Sequence, residues 1–342
     1  MKLASIDVGT NSVRLLITEY KNNKFMTVKR CMQITRIGKD LEKTGKISAD
    51  SAKKTLKALS EFNYLIKREN VTKLRAVGTR ALRQASNSDW FLSDIYKKLG
   101  INIEIISGEE EAKLSLYGVV RELDINLIRS AISEDSKDSI NKNRNILVID
   151  IGGGSTEFIL STLEGQIMSI ESLNIGCVNL TEKFIGPDKP ELDNLYNMKI
   201  FIRDKIKNVI ERIRKNKYSS IIGLGGTITT VTAIDLKLVK YDRDKIHYHI
   251  LSLKTINQIY VNLCGLNLEE RKDVVGLEPE RADIIIGGMS ILLEIMESSG
   301  GKIIVSENDI LDGIIYTMVD FVKIFQSCPS GGIGRRNGLK IR

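Results

Sequence analysis

Three consecutive carboxylates, Glu109, Glu110 and Glu111, form the densest acidic group of the chain. They follow Ser107 where a helical apolar pattern begins, so they also suit a first turn, where acids complement the helix dipole. Ser107 and Glu110 have capping-box spacing. Along that helix Ala112, Leu116, Val119 and Leu123 make the packed stripe, while Glu111, Ser115 and Gly118 line a neighbouring side of smaller residues suited to a cleft. Glu111, free of a capping duty, reads as a base for a water attacking phosphorus. Carboxylates must carry such work, because the only histidines, His247 and His249, stand in no motif and read as a solvated strand edge. Arg80 and Arg83, with Thr79 and Asn87, add guanidinium groups whose forks match phosphate oxygens, a surface ion pair being the other reading.

Two glycine turns would hold such a phosphate. Val148-Ile-Asp-Ile-Gly-Gly-Gly-Ser-Thr-Glu-Phe-Ile-Leu160 reads as a strand ending at Asp150, a turn with almost no side chains, and a returning strand. Gly152, Gly153 and Gly154 let backbone N–H groups approach an anion, with the Ser155 and Thr156 hydroxyls beside them. Ordinary hairpins use glycine too. A second copy makes the pattern specific: Ala4 to Ile17 repeats the grammar, with Asp7 for Asp150, Gly9 for Gly152, Thr10 and Asn11 in the turn, and Ser12 for Ser155. Asp7, Asp150 and Glu157 supply hard oxygen ligands of the kind Mg²⁺ takes while keeping several waters. Gly225-Gly226-Thr227, between a strand and a helix, is a further place where amides and a helix dipole meet phosphate or ribose, close helix packing being its bland explanation.

The elements around these residues follow an α/β rhythm. Lys24–Lys29 continues the first hairpin into a meander. A helix over Ile47–Lys67 with Ser48 as cap, strands at Leu74–Val77 and Ile101–Ile106, and a helix from Ser88 ended by Gly100 then give βαβ order. The second copy repeats the plan: Ile167–Ser172 as a strand, a long charged helix over Leu192–Asn216, a strand over Ser220–Leu224, a buried helix over Ala282–Met296, a strand over Lys302–Val305 and a last helix over Asp309–Phe325. The spacing between the hairpins is one α/β domain. Two lobes are therefore expected to face each other across a cleft: residues 1–125, with the last helix (309–326) packing back on them, and residues 126–308. Asn126–Asn145 reads as an exposed connector and residues 327–342 as a disordered basic tail.

The length of 342 residues and a 42% hydrophobic, 27% charged composition suit two globular domains. Of the net charge of +8, Arg335, Arg336, Lys340 and Arg342 supply half, leaving the body near +4. That tilt welcomes a polyanion without demanding DNA. Cys31, Cys177, Cys264 and Cys328 are scattered without CxxC, which disfavours zinc and disulfides and suits a cytoplasmic protein. There is no run of 18 apolar residues for a membrane span, and Asp7 interrupts any signal-peptide core.

Taken together, Asp7-Val-Gly-Thr-Asn-Ser12, Gly78-Thr-Arg-Ala-Leu-Arg-Gln-Ala85, Ile106-Ser-Gly-Glu-Glu-Glu-Ala112, Asp150-Ile-Gly-Gly-Gly-Ser-Thr-Glu157 and Gly225-Gly-Thr227 resemble the exopolyphosphatase/guanosine pentaphosphate phosphohydrolase (Ppx/GppA) family. The resemblance implies two actin-like domains (ribonuclease H-like, the ASKHA superfold), each with a mixed central sheet. It also implies Glu111 as catalytic base, Arg83 as phosphate ligand, and Asp150 with Glu157 as the metal and water site. The ion would be Mg²⁺, with Mn²⁺ as substitute, and the substrate inorganic polyphosphate or guanosine pentaphosphate. The family's longer members carry a C-terminal helical domain; the chain looks like the short two-domain form. One departure is Leu311, where the family pattern leads us to expect arginine. An actin-superfold kinase or ATPase, and a sensor that binds (p)ppGpp or polyphosphate without cleaving it, are the rival readings. Oligomeric state stays open, a homodimer included.

Overall fold

The computed structural model describes residues 1–124, 145–186, 189–216, 218–299 and 301–319; most of the connector, Pro187, the end of the last helix and the basic tail lie outside them. Two mixed sheets organise these residues. The first has strand order β3-β2-β1-β4-β5, with β1 Lys2–Val8, β2 Ser12–Lys21, β3 Lys24–Ile34, β4 Lys73–Gly78 and β5 Ile103–Ile105. The second has order β10-β11-β9-β6-β7-β8, with β6 Asn145–Ile151, β7 Thr156–Thr162, β8 Ile167–Leu173, β9 Ser220–Leu224, β10 Ile250–Ser252 and β11 Lys302–Val305. In each sheet a three-stranded antiparallel meander (β1–β3, β6–β8) joins parallel strands entered through helices.

Local sequence explains most of these boundaries. Ser48 Oγ accepts the Ser51 N–H at 3.2 Å and starts the helix Ala49–Arg68; Gly100, at φ 70°, ends Ser88–Leu99. Gly78–Asn87, expected as a turn, contains a short helix, Arg80–Gln84. The two histidines lie in the loop between the helix Arg243–Ile246 and β10, not on a strand. His247 Nδ1 accepts the Glu307 N–H at 3.1 Å, and burial pushes its imidazole down to about 4; His249 Nε2 lies 2.8 Å from Asp235.

The helix Gly108–Arg121 lies between the two sheets. Ala112, Leu116 and Val119 pack on Ile146, Val148, Ile159, Ile222 and Leu224 of the second sheet. On its other side Leu114 joins Val77, Ile106, Ile310 and Ile314. The last described helix, Ile310–Thr317, also covers Leu3 and Leu16 of β1 and β2. Main cores flank each sheet, one built around Ile6, Leu15, Leu59 and Phe62, the other around Ile149, Phe158, Ile202 and Met289.

Candidate active site

Asp7 and Asp150 are the penultimate residues of β1 and β6, the strands at which antiparallel pairing gives way to parallel pairing in each sheet, and open α/β sheets bind ligands at such carboxyl ends. Each following turn is closed by the same bond, Gly9 N–H to Ser12 O at 3.0 Å and Gly152 N–H to Ser155 O at 2.9 Å. The N–H groups of Thr10, Asn11, Gly153, Gly154 and Ser155 enter none of the hydrogen bonds found among the described residues. A side chain at Gly154 would run into Thr10 and Arg80, so the two turns meet directly. Gly225 has φ 90°, and a Cβ there would crowd Asp150 Oδ1, so only glycine lets β9 turn into the helix Gly226–Asp235 beside that carboxylate.

These turns open on a cavity of about 510 Å³. Of the residues singled out in the sequence, Asp7, Gly9, Thr10, Asn11, Ser12, Glu111, Asp150, Gly152, Gly153, Gly154, Ser155, Glu157, Gly225, Gly226 and Thr227 line it. Thr156, Arg80 and Arg83 are not among its lining residues. Thr156 Oγ1 donates to Ile175 O at 2.8 Å. The buried Arg80 donates to Glu42 at 2.5 Å and, from the first lobe to the second, to Asn174 at 3.2 Å. Arg83 donates to Ile106 O at 2.5 Å and reaches within 3.6 Å of Glu111 Oε2.

Asp150 and Glu157 are direct cross-strand partners and share a face. Ser115 Oγ donates to Asp150 Oδ2 at 3.0 Å and Ser172 Oγ to Glu157 Oε1 at 2.8 Å. Glu110 turns away to Arg75 at 2.8 Å, and Ser107 Oγ caps the Glu110 N–H without the reciprocal half of a capping box. Glu111 Oε2 and Asp7 Oδ1 are buried with no hydrogen-bond partner, as are both polar atoms of the Asn11 side chain.

Desolvation dominates the electrostatics. Burial, then the Asp150 charge, pushes the Glu157 carboxyl up to about 8; burial pushes Asp150 up to about 6 against the pull of Arg14. Burial, then Glu157 and Asp7, raises Glu111 well above the usual carboxylate range, with Arg83 opposing. Buried carboxylates that raise one another fit a site for a cation. Among the described residues no three His, Cys, Asp or Glu converge to hold an ion unaided. Such a donor set suits Mg²⁺ or Mn²⁺ completed by water and phosphate oxygens rather than an all-protein cage. Asp150 and Glu157 are the residues that could hold such an ion; Asp7 offers only Oδ1, since Oδ2 is taken by Arg14.

A stability prediction follows. A carboxyl whose pKa is higher in the fold than in the unfolded chain contributes stability below its unfolded pKa, and that contribution is lost as pH rises through its folded pKa. For Glu157 the window runs from about 4.5 to about 8. Measured with chelator, the melting temperature of Glu157→Gln minus that of wild type should climb with pH across this window. A difference independent of pH would contradict the burial of an ionisable Glu157.

Arg14, Arg30, Asp309, Tyr241, Arg243, Arg281 and Glu307, none of them expected at the site from the sequence, also line the cavity. Arg30 donates to Asp312 at 2.5 Å, Arg243 to Asn308 at 2.6 Å, and Tyr241 to Glu307. Leu311 is buried in the cluster with Leu3 and Leu16.

The actin-like architecture and this cavity define a two-lobed phosphate-handling protein, and the comparisons specify it. Residues 16–130 and 137–321 match the Ppx/GppA phosphatase family. The chain is 37% identical over 93% of its length to the bifunctional 3-dehydroquinate synthase/phosphatase of Fusobacterium nucleatum, spanning 46% of that protein. It is 30% identical to exopolyphosphatase 2 of Mycobacterium tuberculosis, covering 93% of this chain and 98% of that one. A crystal structure of an exopolyphosphatase from Cytophaga hutchinsonii superposes with a TM-score of 0.83 at 27% identity, covering 94% of this chain and 99% of that one. The Aquifex aeolicus Ppx/GppA family member gives 0.74 at 30% identity, covering 93% and 97%. The chain belongs to the Ppx/GppA phosphatase family. Among its described residues no helix is long and apolar enough to cross a membrane.

Proposed function

We propose that the chain is a cytoplasmic, Mg²⁺-dependent exopolyphosphatase that releases terminal orthophosphate from inorganic polyphosphate by Glu111-assisted attack of water. The observation that carries this reading is a single one: a buried carboxyl oxygen of Glu111 without a hydrogen-bond partner shares a cavity with two turns that each hold uncommitted amides. Phosphoryl transfer asks mainly for positioning and neutralised charge. The free amides of Thr10, Asn11, Gly153, Gly154 and Ser155 would receive phosphate oxygens, and the Asn11 side-chain amide would gain the bonds it lacks. Glu111 would orient the water and accept its proton, a task suited to a carboxyl with a raised pKa. Arg83 would hold that carboxylate in place from 3.6 Å. A divalent ion on Asp150 and Glu157 would neutralise phosphate charge.

Guanosine pentaphosphate presents the same terminal phosphoanhydride and is the alternative substrate. The deciding experiment is kcat/KM for short polyphosphate, long polyphosphate and guanosine pentaphosphate on one preparation, with ATP alongside. Preference for polyphosphate is expected. Release of phosphate from none of them with Mg²⁺ present, despite calorimetric binding, would identify a sensor instead. Transfer of phosphate from ATP to an acceptor rather than to water would identify a kinase.

A further inference from the structure

The helix Gly108–Arg121 reaches the cavity at two places one turn apart. Glu111 and Ser115 are separated by four residues, so their side chains lie one above the other on a single face. On either side of Ser115 the helix is committed to packing: Leu114 joins Val77 and Ile310, and Leu116 joins Val148 and Leu224. Ser115 itself is 1% exposed and lines the cavity. Alanine has the better helix propensity for such a place, and a buried hydroxyl costs free energy unless it is bonded. A buried serine inside a helix can turn its single proton back to the carbonyl four residues earlier, here that of Glu111. Ser115 Oγ instead donates across to Asp150 Oδ2 at 3.0 Å, joining the helix that carries Glu111 to a strand end of the second sheet. The bond divides the two oxygens of Asp150. Oδ2 is held by the hydroxyl, while Oδ1 enters no hydrogen bond among the described residues and lies beside bare Gly225. Glu157 is held in the same manner from its own sheet, by Ser172.

We propose that Ser115 is a positioning residue for the divalent-ion site: its hydroxyl fixes the plane of the Asp150 carboxylate and leaves Oδ1 for the ion, in register with Glu111 on the same helix. This rests on the phosphohydrolase reading above and on Asp150 as a ligand. Removing a group that holds a metal ligand by a hydrogen bond typically costs about 10- to 100-fold in metal affinity or activity. One rigid turn of helix separates Ser115 from Glu111. A single element thereby sets both the carboxylate that would bind the ion and the one that would take the proton of water.

The test combines calorimetric binding of Mn²⁺ without substrate with phosphate release from tripolyphosphate across a range of Mg²⁺ concentrations. Ser115→Ala should bind Mn²⁺ at least about tenfold more weakly and need correspondingly more Mg²⁺ for half its maximal rate, while kcat at saturating Mg²⁺ stays near the wild-type value. Ser115→Cys keeps the bulk with a weaker S–H donor, so its Mn²⁺ affinity should fall between the two. A lowered melting temperature in Ser115→Ala with unchanged Mn²⁺ affinity would mark a brace for the fold and overturn the proposal. So would unchanged Mn²⁺ affinity with a kcat that stays low at saturating Mg²⁺, because Ser115 would then act on Glu111 and not on Asp150. If circular dichroism shows Ser115→Ala unfolded, Ser115→Cys decides: Mn²⁺ affinity equal to wild type refutes the role. Wild-type protein that binds no Mn²⁺ overturns the proposal as well. Wild-type protein that binds Mn²⁺ yet releases no phosphate from tripolyphosphate removes the phosphohydrolase reading, while the comparison of Mn²⁺ affinities still decides for or against Ser115.

Discussion

Replacing Glu111 by glutamine is expected to slow phosphate release by about 10²–10⁴ while leaving the fold intact or more stable. The two effects have one cause. Glu111 is held away from water and surrounded by Glu157, Asp7 and Asp150, whose charges add to the burial that raises its pKa; only Arg83 opposes them. A group raised in this way costs stability as pH rises above its unfolded value of 4.5, so at alkaline pH a neutral isostere relieves that cost, and below about pH 4.5 the variant and the wild type should converge. Glutamine can still orient water but cannot take its proton. Rate and melting temperature on the same samples check the pair. Full activity in a folded Glu111→Gln would remove Glu111 from the chemistry. A large loss of melting temperature at pH 8 would instead mean that the 3.6 Å contact with Arg83 outweighs the burial penalty.

The site was legible where its signal was local. Glycine turns, a strand-end aspartate and an N-terminal helical acid are each encoded within a dozen residues, and their duplication made Asp7 and Asp150 recognisable without coordinates. Glu111, Ser115 and Gly118 were legible as one face of a helix because 3.6-residue periodicity separates them from Ala112, Leu116 and Val119. Arg14 was within reach, since it follows Asp7 at the same interval at which Glu157 follows Asp150. An arginine among alternating strand residues, however, reads equally well as a solvated position. Arg30, Arg243 and Glu307 carried no such hint: their partners are Asp312, Asn308 and Tyr241, and in the first case the sequence separation is 282 residues. The fate of Arg80, spent on Glu42 and Asn174, is likewise a product of how the lobes meet and not of its own neighbourhood. What sequence could not supply was the relation between lobes, because it is fixed by contacts between segments whose local patterns are each complete without the other.

That relation hinges on a helix crossing, and alanine scanning there has an outcome opposite in sign to the usual one. Gly118 in the helix Gly108–Arg121 lies against the Asp309 backbone, and Gly313 in the helix Ile310–Thr317 lies against the Leu114 carbonyl. A Cβ on either glycine would overlap backbone atoms of the other segment, which cannot swing aside as a flexible side chain could. Helix propensity alone favours alanine over glycine by about 1 kcal/mol. Overpacking a close crossing costs about 1–3 kcal/mol and sometimes more, so Gly118→Ala and Gly313→Ala should each destabilise. Gly265, at the end of Leu253–Gly265 with open space where a Cβ would sit, is the control expected to gain slightly. Both strained variants push on elements that carry the site: one helix bears Glu111 and Ser115, and the other begins at Asp309, which holds Arg14. Their kcat should therefore fall even below the melting transition, while Gly265→Ala stays at wild-type rate. The double variant should cost less than the two single losses combined, because the first substitution already separates the helices that the second would wedge apart. Denaturant unfolding of the four variants reads this directly: stabilisation by Gly313→Ala would mean that the crossing is looser than this packing and that Glu111 is not set by it.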